Sequence, residues 1–143
     1  MSIKVKFPEE LMINLEKLAN EADKIVEKSL KAGAKIVEGQ IRTNLKNSLK
    51  GESSGQLLEA LGTSPVKPNN KIDGWDVKVG FAEPRKDGTS NAMIANILEY
   101  GKKGQTAKPF LKPAIDASKS KMRATMKKVF TEETEKIMKS GGK

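Results

Sequence analysis

The spacing of apolar residues divides the chain into segments. Ile3, Val5 and Phe7 alternate with Ser2, Lys4 and Lys6, a period of two that predicts a short strand ended by Pro8. The period then lengthens. Leu11, Leu15, Leu18, Ala22, Ile25, Val26, Leu30, Gly33, Val37, Ile41, Leu45 and Leu49 recur every three or four residues, which predicts an amphipathic helix. Pro8, Glu9 and Glu10 suit its first turn, where a missing N–H is harmless and acids complement the dipole. Unbroken over residues 9–49, such a helix would be about 60 Å long, against a radius of gyration of about 14–15 Å for a compact chain of this size. The favoured expectation is a kink at Gly33 or Gly39, each about 1 kcal/mol worse than alanine inside a helix. The alternatives are a straight projection that finds partners elsewhere, or a flat Ala32-Gly33-Ala34 patch on which a second helix lies closely.

A polar, glycine-rich loop over residues 50–55 leads to a short helix at 56–61. Residues 63–67 and 75–81 read as two strands joined through 68–74. In the second, Trp75, Val77, Val79 and Phe81 alternate with Asp76, Lys78 and Gly80. Pro65 marks the first as an edge strand or the site of a bulge. Residues 83–90 read as a charged loop, mobile in an isolated subunit, followed by a short helix at 91–100 and a long one at 110–138. In that last helix Ile115, Ser118, Met122, Met126, Val129, Phe130 and Ile137 share one side, and Lys119, Lys121, Arg123, Lys127 and Lys128 the other. Met122 and Met126 belong to the core on this reading, with a groove between subunits as the lesser alternative. The expected fold is α+β: a small antiparallel sheet packed against a long N-terminal and a long C-terminal helix. One domain over 1–139 and a flexible tail over 140–143 complete the expectation.

Composition narrows the chemistry. With 143 residues, no cysteine and no histidine, the chain has no disulfide framework, no thiolate nucleophile, no histidine base and no histidine-ligated metal. The N-terminus lacks an apolar signal core, and no apolar run approaches the ~18 residues of a membrane span. The net charge of +9 is uneven: +3 over residues 1–50, −2 over 51–100 and +8 over 101–143. A solvated basic helix face is the plainer explanation, and a surface facing DNA or an acidic partner ring the sharper one.

Individual motifs add no catalysis. Ser118-Lys119-Ser120-Lys121 has the serine–lysine spacing of penicillin-binding enzymes, but the accompanying elements are missing and it lies in a basic helix. Gly101-Lys102-Lys103-Gly104 lacks the spacing of a phosphate loop. Glu99, between Leu98 and Tyr100, is better explained by hydrogen bonds from a loop N–H or from Arg42 than as half of a carboxylate pair. Asp73 fits an Asp-Gly turn without a cation, which leaves Asp76 alone. The chain reads as a non-enzyme without cofactor or metal. Phe110 is expected to anchor its loop in the core.

Three segments occur in fixed order: Gly55-x-Leu57 opening a short helix, Ala95-x-x-x-Glu99-Tyr100-Gly101, and Pro109-Phe110-Leu111-x-Pro113-Ala114. Gly101 suits a left-handed helix C-cap, and Pro109 and Pro113 bracket a helix start. Together they resemble the gene-product-ten-like tail-component family of long-tailed bacteriophages, over roughly residues 30 to 120. The resemblance implies a virion structural protein of the neck or tail, a tail-completion or head–tail joining protein that oligomerises as a ring. Its implied partners are further copies of itself and other neck, connector or tail-tube proteins. Sequence-independent contact with traversing DNA is also open, and a membrane is not expected. Its place would be the virion, and the host cytoplasm during assembly. Ring contacts are expected from Glu83, Arg85, Lys86, Asp87, Lys102, Lys103, Gln105 and Lys108 in the two loops. The alternative is a basic accessory protein that binds duplex DNA through phosphate contacts, which would be sequence-blind and salt-sensitive.

Overall fold

The computed structural model describes residues 2–6, 21–49, 55–69, 71, 74–85 and 87–140. The elements run β1 (Ser2–Lys6), α1 (Ala22–Leu49), α2 (Gln56–Ala60), β2 (Leu61–Thr63), β3 (Lys67–Asn69), β4 (Gly74–Phe81), α3 (Asn91–Tyr100) and α4 (Leu111–Ser140). This is the expected α+β architecture. The helix predicted over residues 9–20 and the tail at 141–143 lie outside the described residues.

Strand β4 is the centre of an antiparallel sheet. β1 pairs along one side, from Ser2 opposite Gly80 to Lys6 opposite Asp76, and β2 and β3 pair along the other. The strand predicted over residues 63–67 is therefore two strands. Between Thr63, opposite Val79, and Lys67, opposite Asp76, one side advances four residues and the other three, so one extra residue forms a bulge. Pro65 lies in it, where its missing N–H costs no ladder bond. The Ser64 backbone N donates to the Lys78 carbonyl (2.8 Å), and its hydroxyl accepts from the Lys78 N–H (2.9 Å), which carries the ladder across the bulge.

The period of two holds on the core face, where Val77 and Val79 are buried. On the other face Asp76 is buried as well, since it accepts from the Asn69 amide (2.6 Å) and lies opposite Lys6 and Lys67 in register.

α1 is continuous through Gly33 and Gly39, about 42 Å long at 1.5 Å per residue. Neither glycine breaks it, and at Gly33 packing explains why. A Cβ on Gly33 would lie 2.6 Å from Met126 Cγ and 3.3 Å from Met122 Cγ, so the glycine admits α4 rather than breaking α1. The helices run in opposite directions: Lys28 bonds Glu133, Gly33 faces Met126, and the Asn44 amide donates to the Phe110 carbonyl. Ile25, Val26, Leu30, Ala34, Val37, Ile41 and Leu45 of α1 are buried, as are Ala114, Met126 and Phe130 of α4. Phe110 is fully buried and meets Phe81 edge to face (6.2 Å between centroids, 69°), as its anchoring role requires. Burial of one such ring contributes about 2–3 kcal/mol.

Candidate interface

α3 is held at both ends by backbone geometry that its sequence encodes. At its N-terminus the Ser90 hydroxyl accepts from Met93 N–H (3.1 Å), while the Glu83 carboxylate accepts from the N–H groups of Asn91 (3.0 Å) and Ala92. The Ala92 N–H bond, with help from Asn91 and Ser90, holds the Glu83 carboxyl below its ordinary range. Buried Asn91 donates to the Ala82 carbonyl (2.7 Å) and accepts from the Arg85 guanidinium (3.3 Å). The Glu83–Pro84 peptide is cis. Rather than a free charged loop, the described residues between 83 and 90 close on themselves: Arg85 N–H donates to Thr89 O, Gly88 N–H to Arg85 O, and Thr89 to the Asp87 carboxylate.

At the other end, Gly101 has φ 78° and ψ 178°, an extended conformation at positive φ that glycine alone adopts readily, and not the left-handed cap expected. Any Cβ there would lie 2.9 Å from Ala107 N and Gln105 O. The chain then turns back. Lys102 and Gln105 exchange two backbone bonds (3.0 and 2.9 Å) around Lys103 and Gly104, and Lys108 N–H donates to the Leu98 carbonyl (2.7 Å). The residue after next, Phe110, begins the helix entry that Glu99 controls. The Glu99 carboxylate, nearly buried, accepts from the backbone N–H groups of Phe110 (2.8 Å), Leu111 (2.7 Å) and Lys112 (3.1 Å). A side chain of α3 thus caps α4, at the positive end of its dipole. Pro113 sits in the same first turn, where it sacrifices no bond. Arg42, the other partner considered for Glu99, donates instead to the carbonyls of Leu58 (3.0 Å) and Leu61 (3.3 Å). Gly55, at φ 85°, precedes α2, and Leu57 of that helix is buried.

Between α2, α3 and the 101–108 turn lies a groove of about 750 Å³. Leu57, Ile94, Ile97 and Leu98 form its apolar lining, and Ser48 and Leu49 close it at the C-terminal end of α1. Arg85, Lys102 and Lys108 supply its charge. Beside it, Met93 and Tyr100 are 64% and 72% exposed, the large hydrophobic residues most open to solvent among the described residues. Met93, Ile97 and Tyr100 stand at i, i+4 and i+7 along α3, so they continue the apolar lining as an outward stripe.

The structure separates the eight residues expected to make contacts. Arg85, Lys102, Gln105 and Lys108 line this groove. Glu83 faces a different depression, shared with Thr63, Lys78 and Ala92, and is occupied in capping α3. Asp87 is engaged by Thr89, Lys103 is exposed at the turn tip, and Lys86 lies outside the described residues. Sequence reasoning missed Met93 and Ile97. The signal was there: α3 carries apolar residues on more sides than one buried face requires.

Among the described residues no cluster of acidic side chains could hold a metal ion, and no helix is long and apolar enough to cross a membrane. The conspicuous polar groups, Glu99, Glu83 and Asn91, hold helix ends and loops in place. The model of the family described as "Bacteriophage HK97-gp10, putative tail-component" matches residues 9–101, and the chain belongs to this family of phage tail components. The match spans the Gly55 and Glu99-Tyr100-Gly101 segments and ends before Pro109. No curated protein and no solved structure matches the chain.

Proposed function

We propose that this chain is a structural, non-enzymatic protein of the phage neck or tail, which oligomerises as a ring and joins the capsid to the tail. Membership of the tail-component family carries the reading. The mixed apolar and basic surface around α3 supports it, because an assembly part needs a face to present to neighbours. Its partners are then copies of itself and adjoining neck or tail-tube proteins. It would reside in the virion after assembly in the host cytoplasm. Deleting the 83–90 and 101–108 loops would be a poor test, since both hold helix termini. Charge reversal of Lys102 and Lys103 is cleaner. Added to purified heads and unjoined tails, the double variant should join particles at least about tenfold less well than wild type, with an unchanged melting transition. Joining at the wild-type level would contradict the role given to this surface.

A second reading has its own observation. Lys119, Lys121, Arg123, Lys127 and Lys128 are all exposed along α4. A duplex-binding accessory protein would use such a row on phosphates, with affinity falling steeply as salt rises. Reversal of Lys102, Lys103 and Lys108 would abolish duplex binding if the turn were the contact. Reversal on α4 would do so if the helix were.

A further inference from the structure

We propose that the open edge of β1 takes an extended segment of a neighbouring protein as a further strand, one in which acidic residues alternate with apolar ones. The contact goes beyond the reading given above and stands whether or not copies of this chain close a ring.

The direction of the backbone groups follows from the other side of β4. There the Lys78 N–H donates to the Ser64 hydroxyl, and the Lys78 carbonyl accepts from the Ser64 N–H. Successive residues of an antiparallel strand turn these groups to opposite sides, so Val77 and Val79 aim theirs at β1 and meet Val5 and Ile3. Ser2, Lys4 and Lys6 therefore present their N–H and carbonyl groups outward. β1 ends the sheet, and among the described residues no hydrogen bond reaches these groups. The opposite edge is blunted: a bulge at Pro65 interrupts it, and Pro68 of β3 has no N–H to offer.

Charge selects the occupant. On the face away from the core, Lys4 lies directly opposite Lys78, in the kind of pair that brings side chains closest. In the next row Lys6 and Lys67 flank Asp76. All four lysines are exposed, and none makes an ion pair among the described residues. An acidic residue beside Lys4 would relieve the Lys4–Lys78 repulsion, and a second would reach Lys6. The apolar residue between them would continue the face of Ile3 and Val5, which packs on the core.

A second copy of β1 is a poor occupant. Symmetric antiparallel pairing centred on Lys4 would line up Lys78, Lys4 and their two counterparts in one row, and like charges directly opposite one another are destabilising. Lysines on an edge strand discourage self-pairing in general. The same charge admits a strand of opposite sign, so the edge is selective rather than closed.

Amide exchange of the whole chain, followed by NMR, tests this with a probe peptide of about seven residues in which glutamate alternates with valine. In the protein alone, the amides of Ile3 and Val5 should be protected by β4, and those of Lys4 and Lys6 should exchange freely. Saturating glutamate–valine peptide should slow exchange at Lys4 and Lys6 at least about tenfold, and a lysine–valine peptide should not. Lys4→Glu should weaken binding of the glutamate–valine peptide at least about tenfold at low salt. Protection of Lys4 and Lys6 without any peptide would overturn the proposal, because a segment of this chain or of a second copy would then already hold the edge. So would no protection by the glutamate–valine peptide, equal protection by both peptides, or effects centred on α3 or α4. A short duplex DNA that moves the Lys4, Lys6 and Lys78 signals more than the peptide does would make the face a phosphate surface instead. Mass in solution reads the ring separately, so either reading can fail alone.

Discussion

Removing the Glu99 carboxylate would strand three backbone N–H groups at the start of α4, in a site with little access to water. Glu99→Ala should therefore lower stability by about 2–3 kcal/mol, and Glu99→Gln by less, since an amide oxygen still accepts. Urea unfolding measures both, and an Ala variant within about 0.5 kcal/mol of wild type would contradict the capping account. Two glycines of α1 make a paired prediction. Gly39 has open space around its would-be Cβ, so Gly39→Ala should stabilise by about 0.5–1 kcal/mol. Gly33→Val should destabilise by about 1–3 kcal/mol, because Met126 is buried and has little room to retreat. Much of this was legible in the sequence. A lone carboxylate between apolar neighbours pointed to backbone N–H donors, and the glycine after it to positive φ. What could not be read was the destination of those groups. Glu99 caps a helix that begins twelve residues later, and the Met126 that settles the role of Gly33 is ninety-three residues away.

Helices and strands followed their periods where one face carries the apolar core, as in α1, α4 and β4. Expectation failed where a tertiary partner overrode a local rule. The glycines of α1 did not break it, and α4 lies against one of them. The bulge that Pro65 marked is there, but it divides the expected strand into two short ones along β4. The stretch around residues 83–90 looked like a free loop by composition, yet Glu83 caps α3. That cap has a pH signature. Bonding to Ala92, Asn91 and Ser90 lowers the Glu83 pKa in the folded state, so its contribution is present above the unfolded value and is lost as pH falls through the folded one. Wild type should lose more stability between about pH 7 and about pH 3 than Glu83→Gln does. Denaturant midpoints of both proteins at the two pH values give the comparison, in which the other carboxylates cancel. Equal losses would mean that the cap adds nothing.

At the scale of the whole molecule, two antiparallel long helices and a small sheet form a frame, and α3 with its turn stands on it as a wedge of apolar and basic surface. The family match covers the part of the chain from residue 9 to residue 101, which includes α3 and stops short of α4. Composition narrowed the choice, since without histidine or cysteine the reading was left with a structural part or a phosphate binder. It could not separate those two, because a lumen for DNA and a binding face for DNA are both basic. Mass in solution separates them. Light scattering over a range of protein concentrations at moderate salt, with and without duplex DNA, should give one plateau at a whole multiple of 15.6 kDa, unchanged by DNA. A chain that stays at the monomer mass and grows only when DNA is added, with the growth lost at high salt, would contradict the ring and favour the phosphate binder.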